Sequence, residues 1–192
     1  MVFWQILLGF MFAGLVWAEP MEIPVSDDLA VPVDRYPADG SDLPAILWLP
    51  THRGVQSAMH DVAAAMAEYG IDTWIADLHA AYFIDIGRRS IDRFRDRDVL
   101  ALIVEIDRRS GGRGTVVMGG DSATRTVLEA IRAGQVSGES SAVRGAILVS
   151  PALNRPADVP GSPSPWLSIA RATNAPVYVL QPEIGTRRWR HE

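Results

Sequence analysis

The chain has 192 residues, 48% of them hydrophobic and 21% charged, with a formal net charge of -5. That is a globular composition with room for one domain and a buried core, and it excludes a fibre, a disordered chain and a strongly basic nucleic-acid binder. Cysteine is absent, which excludes disulfides, a thiol nucleophile, thiolate metal sites and a lipid-modified cysteine.

Val2 to Trp17 is almost wholly apolar, and Val16, Trp17 and Ala18 place small residues three and one positions before polar Glu19. The pattern predicts a signal peptide over residues 1–18, cleavage after Ala18, and an exported product that suits a bacterial periplasm. The apolar run stops short of the roughly 20 residues a membrane span needs, so no stable span is expected after cleavage. Because Lys and Arg are absent before it, an uncleaved anchor is the alternative.

Residues 19–192 are read as one domain of alternating strands and helices. Glu22 to Pro37 is β-rich but interrupted by Pro24, Pro32 and Pro37, which suits a peripheral hairpin. Leu43 to Leu49 is a continuous apolar run, the pattern of a strand buried on both faces. After the loop Pro50 to Gly54, Val55 to Tyr69 carries Val55, Met59, Val62, Ala63 and Met66 at helical spacing, with Gly70 at the stop. A strand over Ile71 to Leu78 follows, then a helix over Asp96 to Arg109 with Val99, Leu102, Ile103 and Ile106 inward, closed by Gly111 and Gly112. Thr115 to Met118 is the next strand, Ser122 to Ala133 a helix stopped by Gly134, and Val143 to Val149 another buried strand. Residues 151–165 form a surface loop rich in proline, glycine and serine. Trp166 to Thr173 is a short helix and Ala175 to Leu180 the last strand. Such alternation predicts a parallel sheet with right-handed crossovers. The arginines at 88, 89, 93, 95 and 97 are interspersed with Asp92, Asp96 and Asp98, the mixture of a solvated helix face.

Taken in order, LPAILWLPTHRG, a helix, GIDTWIADL, TVVMGGDSAT, AILVSPAL and APVYVLQPE resemble the α/β-hydrolase fold over about Leu43 to Glu183. The resemblance implies an α/β protein with a mostly parallel doubly wound sheet, expected here without the fold's last strand and helix, and it implies ester or amide hydrolysis. It also makes Thr115 to Thr124 a nucleophile elbow, a sharp strand-to-helix turn that needs small residues two positions on either side of the reactive side chain. Two registers compete. With Ser122 as nucleophile, Gly120 is small but Thr124 is branched; with Asp121, Gly119 and Ala123 are both small. Ser122 is the preferred reading because hydroxyl chemistry is the commoner use of the fold. The alternative to both is that Asp121 or Ser122 caps the helix.

The oxyanion donors implied by the resemblance are the N–H of Ala123 and one from Thr51 or His52 in the loop after the Leu43 to Leu49 strand. His52 precedes the elbow in the chain, whereas the fold's histidine follows it, so His52 is expected to rim the cleft and His191 is the candidate base. Glu183 is the nearest carboxylate for the acid, with Asp158 a weaker one. His60 is expected to face solvent and His79 the C-terminal edge of the sheet. His52, His79 and Asp77 have no metal-ligand spacing signature, so neither metal nor cofactor is expected. Two function classes stay open: an exported serine hydrolase of a small substrate, and a non-catalytic binding or scaffolding protein on the same fold.

Overall fold

The computed structural model describes residues 17–38, 40–155, 162 and 164–182. Seven strands form one sheet in the order β1-β2-β4-β3-β5-β6-β7. They are β1 (Glu19–Ser26), β2 (Leu29–Tyr36), β3 (Ala45–Leu49), β4 (Thr73–Ala76), β5 (Thr115–Gly120), β6 (Val143–Val149) and β7 (Val177–Leu180). β1 and β2 form an antiparallel hairpin, β2 pairs antiparallel with β4, and β4, β3, β5, β6 and β7 run parallel. The helices are α1 (Ser57–Glu68), α2 (Leu78–Ala81), α3 (Asp96–Arg109), α4 (Ala123–Ser137) and α5 (Ser168–Ala172).

The order of strands positions the site. From β3 the chain crosses to β4 on one side, then returns to β5 on the other, so the direction of winding reverses at β3. The loops leaving the C-terminal ends of β3 and β5 therefore diverge, and a crevice opens between them. The central strands β3 and β4 are buried on both faces, as their apolar runs require, whereas the last strand β7, apolar in sequence, is exposed along its whole length. One face carries α3 and α4 over Leu47, Val117 and Leu148, with Val99, Leu102, Ile103 and Ile106 of α3 all at 0% exposure. The opposite face is covered by α1, through Met59, Ala63 and Ala67 packed against Tyr36 and Ile75.

Several expectations are corrected. The expected hairpin does lie at one edge of the sheet, but only β1 is the edge strand; Pro32 of β2 is tolerated because the β2–β4 ladder covers only Val33 to Tyr36. Val62 points outward and is 45% exposed, since α1 buries only a narrow stripe. α4 runs through Gly134 to a left-handed C-cap at Gly138 (φ 86°). Gly134 lies at the α3–α4 contact, where a Cβ would lie 3.1 Å from Leu100 Cδ1 of α3. The Arg88 to Asp98 stretch is only partly a solvated face, because Asp98 is buried at α3's first turn, where it accepts from the Tyr82 hydroxyl and from Arg95 Nε at 2.5 Å. Strand β4 ends at Ala76, and the short helix α2 follows, capped by Asp77 Oδ1 accepting from the Ala80 N–H at 3.0 Å. No periodic signal announces a helix of four residues.

Candidate active site

The loop after β3 is a tight turn: Gly54 donates its N–H to the Thr51 carbonyl at 2.9 Å, and Gly54 takes a φ of 71° that favours glycine. That turn presents His52 to the crevice. Across it, β5 ends at Gly120, Asp121 adopts a positive φ of 43°, and α4 begins at Ala123. A positive φ on a non-glycine residue costs on the order of 1–3 kcal/mol and concentrates at functional turns. The strand-to-helix turn thus has its apex at Asp121, flanked two positions away by Gly119 and Ala123. The close approach is measurable: a Cβ on Gly119 would lie 2.7 Å from Val127 Cγ2 and 3.3 Å from Ala123 Cβ. With this apex Thr124 stands three positions on, buried beneath the helix start, and does not crowd the turn.

Ser122 follows the apex. Its hydroxyl makes no capping bond to the helix; it turns to the β3 loop, where His52 N–H donates to Oγ at 3.0 Å and His52 Nδ1 lies 2.9 Å away. Oγ accepts the backbone N–H, and in the tautomer with the imidazole proton on Nε2 the hydroxyl proton is donated to Nδ1. The contact puts a hydroxyl within proton-transfer reach of an imidazole nitrogen. Chain order gave no warning of it, because β3 and β5 become neighbours only in the sheet. The same contact engages the His52 N–H that had been expected at the oxyanion.

Beside the turn is a cavity of about 260 Å³, its wall formed by Trp48, Thr51, Met59, Gly120, Asp121 and Val149 among others. Ala123 opens α4, where the first N–H groups lack intrahelical partners and the helix dipole is positive. Thr51 is half-buried in the turn opposite.

His79 is buried, not open to the edge. Its Nε2 lies 2.8 Å from Ser90 Oγ, and Phe94 packs edge-on to its ring. Burial holds this imidazole below its ordinary pKa, opposed by the Asp77 carboxylate and reinforced by His52. His60 does not face solvent freely either: its Nδ1 meets the Tyr36 hydroxyl at 2.9 Å, remote from the elbow on α1. Among the described residues no group of three or more His, Asp or Glu is arranged to hold a metal ion, and no helix is long and apolar enough to cross a membrane. Glu183, Asp158 and His191 lie outside the described residues, as do residues 1–16 of the expected signal peptide.

No protein-family model and no curated protein matches the chain. Solved structures do. Brefeldin A esterase, a bacterial homologue of human hormone-sensitive lipase, superposes on 78% of this chain with a TM-score of 0.57 at 13% identity. A putative dienelactone hydrolase from Klebsiella pneumoniae superposes on 84% with a TM-score of 0.60 at 20% identity. The chain has the α/β-hydrolase fold. It spans 44% of the length of the first of these proteins and 70% of the second. A thioesterase domain from the curacin biosynthetic pathway superposes on 73% of the chain with a TM-score of 0.53 at 13% identity. The Asp121 turn lies at the strand-to-helix junction after β5, and the Thr51 to Gly54 turn follows the neighbouring strand β3.

Proposed function

We propose that this chain is an exported serine hydrolase of small esters, with Ser122 as nucleophile and His52 as its base. The observation that carries the reading is the 2.9 Å contact between Ser122 Oγ and His52 Nδ1 in the crevice where the winding reverses. Ser122 Oγ attacks the ester carbonyl carbon while its proton passes to His52 Nδ1. The oxyanion that forms sits at the N-terminus of α4, where the Ala123 N–H and a donor from the Thr51 turn face it. Collapse of the intermediate breaks the ester bond; the leaving alkoxide takes the proton from His52, and the acyl group stays on Ser122. Water then adds to the acyl-enzyme, giving its proton to His52, and the carboxylic acid leaves as Ser122 regains its hydrogen. The cavity beside the turn suits a short acyl or alkoxy group. Solved neighbours that are esterases and hydrolases do not favour a non-catalytic role.

A second reading rests on the positive φ of Asp121. In it the Asp121 carboxylate, at the apex between Gly119 and Ala123, displaces a leaving group from a saturated carbon and forms an alkyl ester. Turnover of p-nitrophenyl acetate and of a short haloalkane by wild type, Ser122→Ala and Asp121→Asn separates them. Ester turnover lost only in Ser122→Ala supports the first; haloalkane turnover lost only in Asp121→Asn supports the second. Turnover of neither substrate by wild type refutes both.

Export completes the proposal. Cleavage after Ala18 leaves every strand of the described residues intact, because β1 begins at Glu19. Sequencing of the mature amino terminus is expected to read Glu19-Pro20-Met21; a product that begins at Met1 and sediments with membranes contradicts it.

A further inference from the structure

Behind the crevice a buried imidazole is tied to the site by hydrogen bonds that the proposed chemistry does not use. Ser90 Oγ donates to the Gly87 carbonyl at 2.7 Å, so its only proton is committed. It therefore accepts from His79 Nε2–H at 2.8 Å, and the direction of that bond is fixed. The other nitrogen, His79 Nδ1, is buried without a partner among the described residues. A neutral histidine held as one tautomer, with its second nitrogen spare, is a donor and nothing else at this position.

The bonds continue toward the elbow. The Gly87 carbonyl also receives the Ser90 N–H at 3.0 Å, and the Gly87 N–H donates to the His52 carbonyl at 2.9 Å. His52 in turn donates its own N–H to Ser122 Oγ and accepts the Ser122 hydroxyl at Nδ1. A second contact presses the same segments together, since Ile86 Cγ2 occupies the space a Cβ on Gly54 would need, at 2.9 Å. The His52 turn is thus held from two sides: Ser122 in front, and the residue 86–90 segment behind.

We propose that His79 is a positioning residue of the site, orienting the Ser90 hydroxyl so that Gly87 holds the His52 peptide and the His52 ring meets Ser122. The inference rests on the reading of Ser122 and His52 as nucleophile and base. His79 touches no reacting atom. Removing its N–H leaves the Ser90 oxygen with an unfilled acceptor in a buried place, which frees the hydroxyl to turn away from Gly87. A slackened His52 turn then loses the alignment on which proton transfer depends.

The test uses the full chain in four forms: wild type, His79→Leu, His79→Gln and Ser90→Ala. Glutamine offers an N–H near the place of Nε2; leucine offers the volume without the donor. With p-nitrophenyl acetate, kcat is expected to fall about tenfold or more in His79→Leu and Ser90→Ala with KM within about twofold, and to return to within about threefold of wild type in His79→Gln. An unchanged kcat in His79→Leu overturns the inference, and so does an equal loss in His79→Leu and His79→Gln. Should His79→Leu fail to fold by circular dichroism, Ser90→Ala decides: an unchanged kcat there overturns it. Long-range ¹H–¹⁵N spectra of the imidazoles decide without turnover. His52 is expected as the Nε2–H tautomer in wild type and as a tautomer mixture in Ser90→Ala; identical His52 signals in the two overturn the positioning role. Absence of ester turnover in wild type, with the tautomer shift present, refutes the nucleophile reading and leaves the positioning one standing.

Discussion

Replacing Gly119 by alanine probes the elbow more directly than any change at its polar residues. The added Cβ would stand 2.7 Å from Val127 Cγ2, against the roughly 3.5–4.0 Å at which carbon atoms rest, so about 1 Å of separation must be found. Val127 cannot supply it by rotation, because it is at 0% exposure and a branched side chain in a helix has one strongly preferred rotamer. Helix α4 must therefore shift from β5, which places the cost at about 1–3 kcal/mol for an overpacked contact. Ser122 stands at the start of that helix, and its 2.9 Å contact with His52 opens by a comparable amount. A misplacement of about 1 Å costs on the order of a hundredfold in turnover. Urea unfolding and ester hydrolysis measured together check both numbers. The pair Gly119→Ala with Val127→Ala is expected to be less destabilised than the sum of the two single changes, since the shortened side chain clears the new methyl. A Gly119→Ala protein as stable and active as wild type, or strict additivity with Val127→Ala, refutes the close approach at the turn.

Two other outcomes follow from buried charge. Asp72 is 1% exposed and accepts from Arg35 Nε and Nη2 at 3.1 Å each and from Ser110 Oγ at 3.3 Å, so Asp72→Asn is expected to cost about 3 kcal/mol in urea unfolding, and a change under about 1 kcal/mol contradicts that network. The acid side of the stability curve carries two signatures. His79 is depressed below its ordinary 6.5, so the folded protein binds fewer protons there than the unfolded chain; the stability this gives is full above about pH 6.5 and declines as pH falls. Glu105, held at about 2 chiefly by the Arg108 guanidinium with Arg109 beside it, adds a loss as pH falls from 4.5 toward 2. Thermal unfolding against pH is expected to show the first decline in wild type and not in His79→Gln; an identical decline in both contradicts the assignment to His79.

The layers of the fold were legible because burial writes itself into apolar runs. The Asp96 to Arg109 helix and the Val143 to Val149 strand have the expected bounds, the helix being periodic from end to end and the strand carrying the apolar run Ala146 to Val149. Gly134 misled because a glycine that admits a neighbouring helix looks the same in sequence as one that ends its own. The elbow was legible as a strand, paired glycines and a helix, but its apex is a backbone property that the adjacent Asp121 and Ser122 share equally on paper. Chain order points away from His52, and only the β3–β5 pairing, with Leu49 opposite Gly119, brings its loop to Ser122. The link through Ser90 and Gly87 had no signal at all, because irregular segments advertise their hydrogen bonds through neither period nor propensity.

The central claim is that Ser122, activated by His52, is the group that takes the acyl chain. Labelling the folded protein with a fluorophosphonate and mapping the modified peptide by mass spectrometry tests it at a single atom. Wild type is expected to carry one adduct on Ser122, Ser122→Ala none, and His52→Ala only a trace, in keeping with the roughly millionfold loss of turnover when a serine hydrolase loses its base. An unlabelled wild type, or a label that persists undiminished in Ser122→Ala, contradicts the account.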